Sequence, residues 1–114
     1  MANRRLFYKR MIYQEDFEAL SDKARILYLY LNFEADDDGL VANPRRVISL
    51  ASATKKHYRQ LADAGFLLEF PSGACAITHW HQHNITDRSG YVESKLWEER
   101  AQLEVSPSGV YYRL

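Results

Sequence analysis

Five cations, Arg45, Arg46, Lys55, Lys56 and Arg59, fall within residues 43–62, a stretch without a single Asp or Glu. Over the whole chain 15 Lys and Arg balance 15 Asp and Glu, so the excess is local. Guanidinium and ammonium groups gathered on one short segment suit a polyanion, and the chemistry they would do is neutralise phosphates.

The order of residues refines that reading. Thr54 is a fitting N-cap, which puts Lys55 and Lys56 in the first turn of a helix, where the helix dipole disfavours cations by a few tenths of a kcal/mol or more each. A bound phosphate would relieve the conflict, and the free amides of 54–56 would help to hold it. One turn on, Arg59 and Gln60 would reach base edges. Arg45 and Arg46 belong to the preceding helix and suit phosphate clamping better than sequence reading. The bland alternative is a solvated cationic helix face.

Two other groups invite chemistry. Cys75, His79, His81 and His83 share one parity, so a strand continued that far would carry them on one face, but alternate strand residues diverge rather than converge on a tetrahedral zinc. The expectation is no metal: Cys75 as a small core residue, Trp80 as a core or interface anchor, His79 and His83 hydrogen-bonded near the end of a hairpin. Asp36, Asp37 and Asp38 lack the ligand spacing of a calcium loop and read as a solvated turn. No nucleophile elbow, phosphate loop or dinucleotide fingerprint occurs, so neither catalysis nor a cofactor is expected.

The elements that must position the cations follow from capping and periodicity. Ser21 offers an N-cap for a helix reaching Phe33, with one apolar stripe of Ala24, Leu27, Tyr28 and Leu31 and a second of Ile26, Leu29, Tyr30 and Phe33. Apolar on both sides, it reads as a core helix. The Asp run and Gly39 end it, and Leu40 and Val41 form a very short strand. Asn43 followed by Pro44 starts a second helix that buries Val47, Ile48 and Ala51. In a third helix, 54–64, Tyr58 and Leu61 lie on one face while Lys55, Lys56, Arg59 and Asp63 lie roughly opposite, with Gln60 at the edge. Gly65 stops it, and residues 66–70 and 74–79 pair as a hairpin about Pro71, Ser72 and Gly73.

Helix, short strand, helix, helix, hairpin is the order of a winged helix-turn-helix, an α+β and mainly helical fold. The wing has no cation between Glu69 and Ala74, so a minor-groove role is not expected of it; Ser72 and the Gly73 amide are at most phosphate contacts. Beyond it, 94–103 has helical character, with Leu96, Trp97, Arg100 and Leu103 spaced to pack on the domain or on a second copy. Residues 105–114 read as a turn and an extended segment. The expected division is a domain at 1–103 and an extension or the start of a linker at 104–114.

Size and composition bound the rest. A chain of 114 residues with 46% hydrophobic and 26% charged residues is one ordinary globular domain. Arg4, Arg5, Lys9 and Arg10 near the start are followed only by scattered apolar residues, which gives neither a secretory h-region nor a membrane span. The lone Cys75 fits a reducing compartment. A cytoplasmic location without membrane contact is expected.

Three spaced blocks, Ala35-Asp36-Asp37-Asp38-Gly39-Leu40-Val41-Ala42-Asn43-Pro44-Arg45-Arg46, the stretch 70–73, and His79-Trp80-His81-Gln82-His83-Asn84, resemble the N-terminal domain of phage replisome organizer proteins. These are DnaD-type replication initiators of phages and prophages. The similarity covers about Leu6 to about Leu103. It implies a winged-helix domain acting in initiation of DNA replication, usually ahead of a further C-terminal region. The chain departs from the family after Asn84, where 85–90 is nearly neutral rather than basic, and the Lys55, Lys56 and Arg59 face is not something the family pattern dictates.

The expected function is therefore a DNA-binding domain of a replication initiator that docks helix 54–64 on double-stranded DNA, with Arg45, Arg46, Thr54, Lys55, Lys56, Arg59 and Gln60 as contacts. Two alternatives remain. One is a protein-interaction winged helix serving self-association or loading of a replicative helicase, and the other is a phage transcriptional regulator using the same contacts at an operator.

Overall fold

A computed structural model describes residues 4–84 and 90–114. Its organising element is a helix opened by Ser21, whose Oγ accepts the Ala24 N–H at 3.3 Å and so satisfies an amide that the first turn leaves free. Two short helical turns precede this helix, α1 (Lys9–Ile12) and α2 (Glu15–Glu18). The helix itself is α3 (Asp22–Glu34), and Ala24, Leu27, Tyr28 and Leu31 are its buried stripe.

The second stripe behaves differently from expectation. Ile26, Tyr30 and Phe33 are 41%, 39% and 54% exposed, and Leu29 is only half-buried. A helix at the edge of a small domain has one face to bury, and here the neighbouring helices both pack from the side of Leu27 and Leu31. The helix is amphipathic by position although apolar by sequence.

After α3 come β1 (Leu40–Val41), α4 (Pro44–Leu50), α5 (Lys55–Asp63), β2 (Leu67–Glu69) and β3 (Cys75–Ile77). Asn43 caps α4, its side chain accepting the Arg46 N–H at 3.4 Å with Pro44 in the first helical position. Gly65 leaves α5 at φ +87°, a backbone that side-chained residues rarely adopt, and turns the chain into β2. The three strands form one antiparallel sheet in the order β1-β3-β2, with Leu40 opposite Ala76 and Leu68 opposite the same Ala76. Cys75, Ala76 and Ile77 are all buried, as befits a central strand.

The hairpin strand stops at Ile77 instead of reaching 79. Trp80 to His83 forms a helical turn, α6 (Trp80–His83), so the shared parity of Cys75, His79, His81 and His83 has no geometric consequence. In the C-terminal region the helix is shorter than expected, while 105–114 holds the expected turn and extended segment. Only Trp97–Arg100 is helical (α7), and β4 (Leu103–Val105) pairs with β5 (Tyr111–Arg113) as a second hairpin. Tyr111 is buried, its N–H donating to the Thr78 carbonyl at 2.8 Å and its hydroxyl to the Asp38 carbonyl at 2.6 Å. Residues 104–114 thus fold back onto the body.

The radius of gyration, 13.1 Å, is close to the ~13 Å of a single compact domain of ~100 residues, and one apolar cluster from Met11 to Tyr111 serves the whole chain. No helix among the described residues is long and apolar enough to cross a membrane.

Candidate nucleic-acid interface

Helix α5 is placed by its apolar side. Tyr58 and Leu61 are buried against α3 and α4, and this leaves Lys55 and Lys56 exposed on the outward side of the first turn. No acidic residue occurs in that turn. Thr54 begins it as expected, although its partner is unexpected. The Thr54 N–H donates to His57 Nδ1 at 2.9 Å, and the Thr54 hydroxyl lies 3.1 Å from the same nitrogen. A His thus does the work that a Glu or Gln usually does in reciprocal capping, and it adds no negative charge beside the lysines.

The other cations divide into free and engaged. Arg45 is exposed and, like Lys55 and Lys56, has no carboxylate partner among the described residues. Arg46 pairs with Glu34 at 2.9 Å. Arg59 donates to both oxygens of Glu69 at 2.8 Å and to Asp63 at 3.3 Å, and these carboxylates raise its pKa above the usual arginine value. Gln60 is turned inward to the start of α3, where its Oε1 accepts the Ser21 hydroxyl at 2.8 Å and the Ser21 N–H at 3.3 Å.

Of the expected contacts, the structure therefore brings Thr54, Lys55 and Lys56 together at an open helix start and leaves Arg45 exposed, whereas Arg46, Arg59 and Gln60 have intramolecular duties. The Arg59 and Arg46 pairs lie at the surface, where solvent screens them. Reading of base edges by Arg59 and Gln60 would require both to leave their partners first. No pattern local to α5 announces Glu69, which follows the Gly65 reversal and returns alongside α5 on β2.

The turn of the β2–β3 hairpin is met by the chain's own C-terminal region. The Ser72 hydroxyl donates to Glu99 at 2.7 Å. The Arg113 guanidinium donates to the Glu69 carbonyl and lies 5.3 Å from the Phe70 ring centroid. Glu99 thus sets a carboxylate beside this turn, which disfavours a phosphate there.

The acidic run is not the solvated turn expected of it. Asp36 accepts the N–H groups of Asp38 and Leu40 at 3.0 Å each and the Ser94 hydroxyl at 2.6 Å. Asp38 accepts the Tyr91 hydroxyl at 2.6 Å and the Ser94 N–H at 2.8 Å. Asp37 accepts the Val92 N–H at 3.0 Å and pairs with Arg5 at 3.2 Å, both side chains only 8% exposed. Burial raises the Asp36 carboxyl above its ordinary value despite these donors. For Asp37 burial acts the same way, but the hydrogen bonds from Val92 and Arg5 and the Arg5 charge outweigh it and leave the carboxyl below its usual range. Three carboxylates saturated by protein donors are a clasp between two distant segments.

His83 is likewise engaged within the fold. His83 Nδ1 accepts the Tyr8 N–H at 2.8 Å, and its Nε2 lies 2.6 Å from the Tyr28 hydroxyl. Burial lowers its pKa to about 4, so the ring is neutral. His79, expected to be hydrogen-bonded, has a buried Nδ1 without a partner among the described residues, and its pKa is also lowered by burial. Cys75 is fully buried, and burial pushes its thiol up to about 12, far from a reactive thiolate. No group of three or more His, Cys, Asp or Glu among the described residues is arranged to hold a metal ion. The nearly neutral segment after Asn84 lies, at 85–89, outside the described residues.

Comparison with models of protein families, with curated proteins and with solved structures finds no match.

Proposed function

We propose that this chain is a winged helix-turn-helix domain that binds double-stranded DNA in replication initiation, holding the duplex mainly by its phosphates. The observation that carries the reading is the first turn of α5. Lys55 and Lys56 stand exposed there with no carboxylate in the turn, on the second helix of a pair joined by the tight turn 51–54. Arg45 on α4 is exposed as well and has no carboxylate partner among the described residues. The element order and the sheet order β1-β3-β2 support the winged-helix assignment, and the replication context comes from the resemblance of 35–46, 70–73 and 79–84 to phage replisome organizers.

The engaged states of Arg59 and Gln60 shift the emphasis from base reading to backbone positioning. Three phosphate contacts predict a slope of about −3 in log affinity against log salt, from about −0.9 per neutralised phosphate. Fluorescence anisotropy of the protein against its own replication origin and against unrelated duplex, across a salt series, tests this. A steep slope with similar affinity for both duplexes is expected. Failure to bind either duplex at low salt overturns the proposal.

A second reading, a protein-interaction winged helix, is favoured by one observation. Tyr13, Ile26, Tyr30 and Phe33 expose apolar surface on the side of α3 away from its buried stripe. A partner held there would show little salt dependence.

A further inference from the structure

Helices α4 and α5 end in the same way, and only α5 ends on glycine. At the end of α5 the Gly65 N–H donates to the Ala62 carbonyl at 3.1 Å and the Phe66 N–H to the Leu61 carbonyl at 2.9 Å, with Gly65 at φ +87°. At the end of α4 the Ser52 N–H donates to the Ser49 carbonyl at 3.1 Å and the Ala53 N–H to the Ile48 carbonyl at 3.0 Å, with Ser52 at φ +54°. Both show the paired bonds of a helix that leaves through the left-handed region, where a Cβ is crowded and glycine is favoured.

Ser52 is out of pattern in this chain. All five glycines have positive φ, and Ser52 is the one other residue that does among those described. A serine there keeps a backbone strain that glycine would relieve. Its side chain is exposed, and its hydroxyl makes no hydrogen bond among the described residues, so nothing within the fold offsets the strain. Strained residues that carry polar groups cluster where ligands are held. Ser52 stands two residues before the cap Thr54 and three before Lys55, in the turn that leads into the exposed cations of α5.

We propose that Ser52 is a further contact to the duplex, its hydroxyl donating to a backbone phosphate oxygen beside those held by Lys55 and Lys56. The inference rests on the DNA-binding reading above and adds to it a contact of another kind. A hydroxyl is a neutral donor, and it releases no counterion when it meets a phosphate. Ser52 therefore contributes affinity without adding to the salt slope, whereas each lysine contributes to both. The conformational strain of the turn is the cost of keeping a side chain at this position.

Duplex anisotropy and urea unfolding of the full chain test this together, because the two readouts should move in opposite directions. Ser52→Gly relieves the strain and removes the hydroxyl, so its urea midpoint should rise while duplex affinity falls roughly tenfold at an unchanged salt slope. Ser52→Ala removes the hydroxyl and keeps the strain, and should lose affinity by a similar factor with little change in midpoint. Ser52→Asn tolerates the left-handed backbone and retains a donor, and should bind within a few-fold of the wild type. Full affinity in Ser52→Ala, with the wild type bound, overturns this inference and leaves the DNA-binding reading standing. A lower midpoint in Ser52→Gly also overturns it, since the hydroxyl would then serve the fold. A wild type that binds no duplex removes both.

Discussion

The carboxylate of Asp38 accepts the backbone N–H of Ser94 at 2.8 Å, joining residues 56 positions apart. Around it, Asp36 takes the Ser94 hydroxyl and Asp37 the Val92 N–H, so three consecutive carboxylates hold the segment that leads into α7 and the second hairpin. The arrangement suits the physics of a tight turn, because short acidic side chains accept the turn's own amides while a second oxygen remains for a distant donor.

Asp38→Ala removes two charge-assisted bonds and leaves the buried Ser94 N–H without its acceptor. Such bonds are worth about 1.5–3 kcal/mol each, so a loss of about 3 kcal/mol of stability is expected, with the C-terminal hairpin affected first. Urea unfolding followed together with amide exchange at Ser94 and Tyr111 measures both. Unchanged protection at Ser94 would show that the clasp carries no load.

The same cluster shows what was legible in the sequence. The caps at Ser21 and Asn43, the stop at Gly65 and the hairpin about Gly73 depend on neighbours within a few positions, and each was read correctly. The Asp run signalled a turn for the same local reason. Its burial depended on Tyr91, Val92 and Ser94, which no local pattern announces. Periodicity likewise placed Arg59 on the outward face of α5, but Glu69 reaches that face only after a chain reversal. The exposed stripe of α3 failed for a related reason, since apolar type says what a face prefers and the number of neighbours decides what it gets.

His83 predicts a pH dependence of definite sign. Its Nδ1 accepts the Tyr8 N–H, which only the unprotonated nitrogen can do, and burial holds its pKa at about 4, below the ordinary 6.5. Between those values the unfolded chain takes up a proton that the folded chain refuses, so stability should fall as pH drops from about 6.5 toward 4 and level off below. The gap corresponds to about 3 kcal/mol. The lowered pKa of His79 acts in the same direction, and the raised carboxyl of Asp36 opposes it nearer pH 4. Urea midpoints at several pH values, compared with His83→Gln, check this; a slope that survives in the variant belongs to another group.

Gly39 is required by contact as well as by conformation. At φ +83° it sits against Trp80, and a Cβ built there would lie 2.4 Å from the indole Cγ. Trp80 is buried and donates its ring N–H to the Asp37 carbonyl at 3.2 Å, so the indole cannot easily yield. Gly39→Ala should cost more than about 2 kcal/mol, combining backbone strain with overpacking. Gly65→Ala meets no atom within 4 Å and bears the backbone term alone, so a comparison of the two urea midpoints isolates the contact. Equal losses would mean that Trp80 moves freely.

At the start of α5, chemically similar cations stand in different electrostatic surroundings, and this separates their expected roles. Lys55 and Lys56 have no carboxylate to leave among the described residues, whereas Arg59 must give up Glu69 and Asp63 before it can meet a phosphate. Lys55→Ala with Lys56→Ala should therefore lower duplex affinity and reduce the salt slope by about 2, one for each lost phosphate contact, while leaving the urea midpoint within about 0.5 kcal/mol. Arg59→Ala should change the slope by less than one, because part of its charge is already neutralised. Glu69→Gln supplies the converse: with its carboxylate gone, Arg59 is released toward the DNA and affinity should rise. An anisotropy titration in which Glu69→Gln lowers affinity, or in which Arg59→Ala outweighs the lysine pair, would show that Arg59 reads the duplex from within its ion pair and that the lysines are bystanders.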